Sequence, residues 1–529
     1  MLSIFFITLV MVILSEGVGQ WFLKLIGADR DGFAAPVGTS ILFTLLEIVY
    51  LPVMLHRGNM HSIAVLTVIV IGIALIILGR AFIETYYSLV RPRMIYVLFS
   101  ALLLMGLFAV CATRLDPSNN AELVQMIGNA HASSIDLTGA RLQGYSLFGS
   151  CAVLLFGESP IATAIALSVY ANMITVMLLL NIIDSFQIEN PWFRFTLILG
   201  SVFYYQFYSW KIISAFQGGN WRLVFAALSL FALYQWLKTG NDRNKFIYIA
   251  AMGAGFFAHK GFFMIAVEIL YCLACWLFYH RKIRALFDVS TFFIPIVVYF
   301  SAWLSLSKPM AGLLLFGIYI LFCLLRHRKK VYRRMINLEN YLIDHSRGLF
   351  YIAIPLIFLV GTFILRFFVD GYGFEYSEYI SFFSASSLKS YLFMSGSFID
   401  FILDIWRWAG LFFFLVKAET DEEKMIRNLF LGMVVFFVNP LCMGMLSEIT
   451  GIETYAYAFE ILFNPFTDVL IFYWIYKQFE WTVAGQWLLE LCLVFAVIFG
   501  HASSFANKSS GLYSDLIEYD AQTGEVIIP

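Results

Sequence analysis

MLSIFFITLVMVILSEGVGQWFLKLI, residues 1–26, is the first of a series of apolar segments that recur almost end to end along the chain. Each is close to the length, about 18 residues or more, that an α-helix needs to cross about 30 Å of hydrocarbon. The 529 residues are 61% hydrophobic and only 13% charged, with a mean hydropathy of +0.82. A water-soluble domain carries about a quarter charged residues, so lipid is the solvent for most of this surface. Backbone polar groups in lipid must pair within the segment, which makes the spans helices. The fold class read from the chain is an all-α polytopic integral membrane protein with about 14–16 crossings.

The opening segment lacks a basic n-region and a small-residue cleavage site, so it reads as a retained helix rather than a signal peptide. A formal net charge of −1 gives no hint of a nucleic-acid partner. All seven cysteines fall in apolar segments, and free, packed thiols are expected of them. Spans are expected to begin near Leu2, Thr39, Ser62, Arg93, Ser146, Trp192, Trp221, Lys245, Gly261, Leu286, Pro309, Gly348, Ser395, Met425, Tyr457 and Thr482. The stretch 146–184 is too long for one crossing and breaks at Gly157-Glu158-Ser159-Pro160, giving a half-helix and then a full span.

Basic residues set the orientation. The joints holding Arg80/Arg91/Arg93, Lys238/Arg243/Lys245, Arg281/Lys282/Arg284, the cluster 326–334 and Lys424/Arg427 fall on one side if both termini face away from the cytoplasm. Segments 114–145, 370–395 and 501–529 then lie outside, as do the tips 216–220 and His259-Lys260. In the tail, a turn-like run from Asp520 to Gly524 separates apolar pairs. The layout suits a bacterial cytoplasmic membrane. Four parts follow: residues 1–92, a membrane core 93–345 with its outer loop, a helical bundle 346–502, and an extracytoplasmic tail 503–529.

Charges inside or beside spans are the functional candidates, because lipid makes them costly. In the outer loop Asp116, Glu122 and Asp136 are the acids that could deprotonate an acceptor hydroxyl, with a divalent metal ion as the alternative use. Pro117 ends the preceding span. Ser118 is placed to cap a short interfacial helix with Leu123, Met126 and Ile127 as its apolar stripe. Arg141, Arg222, His259, Lys260 and Arg366 are the basic groups that could converge on a lipid phosphate, since charge-assisted contacts to phosphate are strong. Asp400, Asp404 and Arg407 share one helical face, as an internal ion pair or as a site, and Asp370 could join them. Glu460, Asn464 and Asp468 step by four along a span that Pro465 is expected to kink. Glu47, Glu268 and Glu490 stand alone in theirs. Aromatic rings alternate with Glu375 and Glu378 in the second outer segment, as a sugar-stacking surface or an interfacial belt.

The acid after a span in Arg114-Leu115-Asp116, the amphipathic element and half-helix that follow, the aromatic run from Phe203 to Trp210 and the polar tail together resemble the GT-C type of membrane glycosyltransferase. The resemblance implies a polyprenyl-phosphate sugar as donor, a glycan acceptor, Asp116 as the base, and Arg222 or Lys260 at the phosphate. It also makes residues 1–92 an added module. Other classes stay open. A polymerase or ligase of lipid-linked glycans would depend on Arg222, Arg366 and Arg407. A transporter or flippase would depend on Glu268, Asp468 and Glu490, and a non-catalytic assembly partner would depend on none of these.

Overall fold

The computed structural model describes residues 2–28, 34–55, 59–89, 121–131, 144–157, 159–203, 216, 218–259, 261–281, 285–326, 328–368, 398–437, 439–450, 456–462, 464–478, 484–485, 487–488, 491, 518–519 and 526–527. Their helices are α1 (Leu2–Leu25), α2 (Ala35–Leu55), α3 (Met60–Leu89), α4 (Ala121–His131), α5 (Gly144–Phe156), α6 (Pro160–Ser185) and α7 (Pro191–Phe203). Next come α8 (Gly218–Thr239), α9 (Arg243–Ala258), α10 (Phe262–Tyr279), α11 (Ala285–Phe292), α12 (Ile294–Ser307), α13 (Pro309–Leu325) and α14 (Lys329–Gly348). A π turn (Leu349–Ala353) leads into α15 (Ile354–Phe368), and α16 (Phe398–Lys417), α17 (Asp421–Gly432) and α18 (Pro440–Thr450) follow. A 3-10 turn (Ala456–Ile461) precedes α19 (Pro465–Gln478). A two-residue antiparallel pairing of β1 (Glu518–Tyr519) with β2 (Val526–Ile527) flanks the turn-like tail segment, and β2 sits beside α4. The chain is a helical, polytopic membrane protein. Among the described residues four helical runs, Ser3–Leu25, Pro160–Ser185, Phe262–Tyr279 and Lys329–Leu365, are by length and composition apolar enough to cross a bilayer.

Two helix pairs form the centre. The α8–α9 hairpin packs on α2, and the α1–α2 hairpin packs on α6. Small residues bring α1 and α2 together: Ser15 and Gly19 of α1 meet Gly38 of α2 and Ala34 just before it. Hydroxyls then stitch the hairpin to α6, because each buried hydroxyl needs a partner where water is absent. Tyr170 Oη lies 2.5 Å from Ser15 Oγ and 2.8 Å from Thr39 Oγ1, while Thr8 donates to the Ala166 carbonyl at 3.1 Å. Phe43 anchors an aromatic knot, with ring centroids 5.0 Å from Trp221, 5.1 Å from Phe257 and 5.6 Å from Phe148.

Among the described residues, contacts tie three of the basic joints to neighbouring helices. Arg243 donates to the Gly27 carbonyl, Lys245 pairs with Asp288, Arg326 reaches Ser290 Oγ at 3.1 Å, and Arg281 faces Asp344 at 3.9 Å. The interrupted stretch behaves as its sequence implies. Gly157 takes a positive φ of 62°, Ser159 caps α6 by accepting from Ala162 N, and Pro160 fills the first helical position.

Two expectations change, while the basic cluster 326–334 leads into helix α14 (Lys329–Gly348). The span expected from Leu286 divides into α11 and α12, with Pro295 in the first turn of the second helix, where its missing N–H costs nothing. The span expected from Tyr457 is not one kinked helix. Pro465 opens α19, and Asn464 Oδ1 accepts from Phe466 N at 3.1 Å and Thr467 N at 3.2 Å as its cap.

At the start of α17, Thr420 and Glu423 form a reciprocal capping box, with Glu423 N donating to Thr420 Oγ1 at 3.2 Å. Thr420→Ala removes that acceptor and is expected to cost about 1 kcal/mol. Thermal unfolding of the purified protein reads it.

Candidate functional site

Five polar or aromatic side chains from four places in the chain converge where α8 begins. Gly218 is the first residue of α8, and a Cβ there would overlap the Ala258 carbonyl at the end of α9. Glycine thus lets the two ends touch. The first N–H groups of a helix have no partner inside it, and the helix dipole favours negative charge there. Glu122 of α4 supplies both needs, its Oε2 accepting from Gly218 N. Loss of water around this carboxyl pushes its pKa up to about 7, against the lowering effects of the Gly218 N–H and the Arg222 charge.

One turn further along α8, Arg222 extends its guanidinium to Glu460. Nε and Nη2 donate to the two carboxylate oxygens, the bidentate fork that arginine geometry favours. Nη1 lies 2.9 Å from His259 Nδ1, and Gly261 N donates to the same Nδ1 at 2.9 Å. Arginine and a backbone N–H can only donate. Nδ1 is therefore the acceptor in both bonds, and the ring proton sits on Nε2. The guanidinium carbon also stands 3.6 Å above the centre of the Tyr457 ring, which meets His259 edge-on at 5.1 Å. Tyr457 closes over the α9–α10 turn, where Gly261 leaves it room.

The 3-10 turn explains why Tyr457 and Glu460 act together. With three residues per turn, side chains three apart eclipse, so both land on one edge and meet the same guanidinium. The pair is nearly dry, with Arg222 3% and Glu460 7% exposed. Glu268 of α10 lies close enough to Glu460 for their charges to interact, is fully buried, and has neither carboxyl oxygen hydrogen-bonded.

Between the Glu122 carboxylate and the Arg222 guanidinium stand Gly218 and Gly219. A Cβ on Gly219 would lie 3.6 Å from Arg222 Nη2, and one on Gly218 would lie 3.4 Å from Glu122 Oε2. Gly219 thus leaves backbone without a side chain beside the guanidinium, while Gly218 N is held by the acid on the other flank and its Cα packs on the Ala258 carbonyl. An anion binds well at a helix N-terminus.

Of the residues singled out from sequence, Glu122, Arg222, His259 and Glu460 come together here. Asn464 caps α19 instead, and Asp468 is buried within that helix. Asp116, Asp136, Arg141, Lys260, Asp370, Glu375, Glu378 and Glu490 lie outside the described residues, as do the side chains of Arg366, Asp400, Asp404 and Arg407. Glu47 is partly buried in α2. Among the described residues no three carboxylate, imidazole or thiol groups converge to hold a metal ion. Cys151, Cys272, Cys275, Cys323 and Cys442 are free thiols. Sequence reasoning missed Tyr457, whose three-residue offset from Glu460 carried the signal. It also missed Glu16, which accepts from Ala35 N at 2.8 Å and Gln20 Nε2 at 2.9 Å and so caps α2 from the neighbouring helix.

No protein-family model and no curated protein matches the chain. Among solved structures, the archaeal oligosaccharyltransferase AglB from Archaeoglobus fulgidus, in complex with an inhibitory peptide and a dolichol-phosphate, matches with a TM-score of 0.41 and 12% identity. The match covers 78% of this chain and 56% of that one, so the chain spans little more than half the enzyme's length. A likeness at this level carries no residue roles across.

Proposed function

We propose that this protein transfers a sugar from a polyprenyl-phosphate carrier to a glycan acceptor within the membrane of a bacterial cell, at the face opposite the basic joints. The observation that carries the reading is the start of α8, where Glu122 holds the Gly218 N–H and Arg222 stands beside Gly219. Glu122 has the proton affinity of a base working near neutral pH. An acceptor hydroxyl gives its proton to this carboxylate, and its oxygen attacks the anomeric carbon. The bond from that carbon to the phosphate oxygen breaks, and the phosphate leaves on the lipid carrier with the negative charge. The first amides of α8 receive it. Arg222, still paired with Glu460, adds its positive charge and its remaining Nη–H groups beside Gly219, and His259 Nε2–H is a further donor. Asp116 and Asp136 belong to the same outer loop and are the alternative bases of this scheme.

The test uses purified protein in liposomes with a short-chain polyprenyl-phosphate sugar. Glu122→Gln is expected to lower turnover about 100-fold while the protein accumulates and stays monodisperse. Turnover of the parent should rise with pH through about 7 and then level, because the working form is the ionised one. A Glu122→Gln variant with undiminished turnover removes Glu122 from the base role. Loss only in Asp116→Asn or Asp136→Asn moves that role along the loop.

A further inference from the structure

The chain leaves the lipid-exposed helix α13 and enters α15, also lipid-exposed, by way of α14. Leu321 (54% exposed) and Leu324 (65%) lie just before it, and Ile352 (64%) and Leu356 (53%) just after. Both ends of α14 therefore meet the edge of the hydrocarbon. Its contacts agree: the Tyr332 ring lies 5.5 Å from Phe287, and Arg347 reaches Tyr279 Oη at 3.4 Å, two residues that flank the α10–α11 turn.

One face of α14 is occupied. Met335, Glu339 and Ser346 are buried, and Leu342 and Ile343 pack against the core. Another face carries Lys330, Arg334, Leu338, Tyr341 and His345, at offsets of four, eight, eleven and fifteen that align on a helix, and all are exposed. Leu338 is 50% and Tyr341 60% exposed. The run 326–334 holds Arg326, Arg328, Lys329, Lys330, Arg333 and Arg334 without an acid.

We propose that α14 lies in the membrane interface and binds anionic lipid headgroups through Lys330 and Arg334, with Leu338 and Tyr341 set into the acyl boundary. A helix with a basic flank beside exposed apolar residues takes this position, and each basic group near an anionic leaflet adds to the attraction. Arg328, Lys329 and Arg333, also exposed, add positive charge around the strip. The inference stands apart from the sugar-transfer reading, since it uses none of the same residues.

Hydrogen exchange of the full-length protein in nanodiscs tests it. In discs with about a third phosphatidylglycerol, amides of α14 should exchange more slowly than in pure phosphatidylcholine, by about fivefold for each basic group engaged. The Lys330→Glu/Arg334→Glu variant should lose that difference while keeping the parent's exchange elsewhere. Equal exchange of the parent in both discs overturns the assignment. So does protection by soluble polyglutamate in phosphatidylcholine discs that matches the effect of the anionic lipid, because the partner would then be an acidic protein.

Discussion

Arg222→Met is expected to destabilise the protein by about 3–5 kcal/mol, because it strands the Glu460 carboxylate in a dry site. Both oxygens of Glu460 take their hydrogen bonds from this one guanidinium. Water does not replace it where side-chain exposure is 4% for the arginine and 8% for the acid. Arg222→Lys is expected to recover only part, since an ammonium cannot make the two-pronged contact or lie flat on Tyr457. The double variant Arg222→Met/Glu460→Leu is expected to regain most of the loss, because a buried ion pair and an apolar pair of similar volume differ little in net stability. Thermal unfolding in one detergent reads all three. A loss below about 1 kcal/mol in the single variant would mean that the pair is wet and not the buried fork described.

The same pair marks where sequence reading stops. Arg222 and Glu460 are 238 positions apart, and no local pattern joins them. Each was visible separately as a costly charge beside or within an apolar segment. Local patterns fared better. The stripe of Leu123, Met126 and Ile127 on α4 is buried as its spacing implies, and Gly157 and Pro160 divide α5 from α6. Pro465 showed the limit of a local rule, since a proline that kinks a helix in one context opens one in another. Asn464 immediately before it, free to cap, was the tie-breaker. The segment after the basic cluster 326–334 was not assigned from sequence, because charge dominates its start. Met335, Leu342, Ile343 and Ser346 already traced the buried face of α14. Glu16 was missed for a different reason, as it serves a helix other than its own.

Gly38→Leu is expected to cost about 3 kcal/mol or more, and even Gly38→Ala should take most of that. The Cβ alone overlaps the Ser15 carbonyl oxygen and crowds the Gly19 amide, both of them backbone, so no side chain can turn aside. Helices in lipid associate through close backbone contact at small residues. Ser15 and Gly19 facing Ala34 and Gly38, each pair four apart, are such an interface. Forcing α1 from α2 also pulls Ser15 and Thr39 away from Tyr170 and Ala35 N away from Glu16, leaving polar groups unmatched where no water can reach. Tyr170 in turn holds Trp221, ring centres 5.3 Å apart, next to Arg222. The damage should therefore spread to the start of α8, with faster amide exchange at residues 218–222. Gly72→Ala in α3 is the control. A Cβ there meets nothing within 4 Å, so it should be neutral or stabilising by up to about 1 kcal/mol through helix propensity. If Gly38→Ala unfolds at the same temperature as Gly72→Ala, the two helices do not cross as tightly as described.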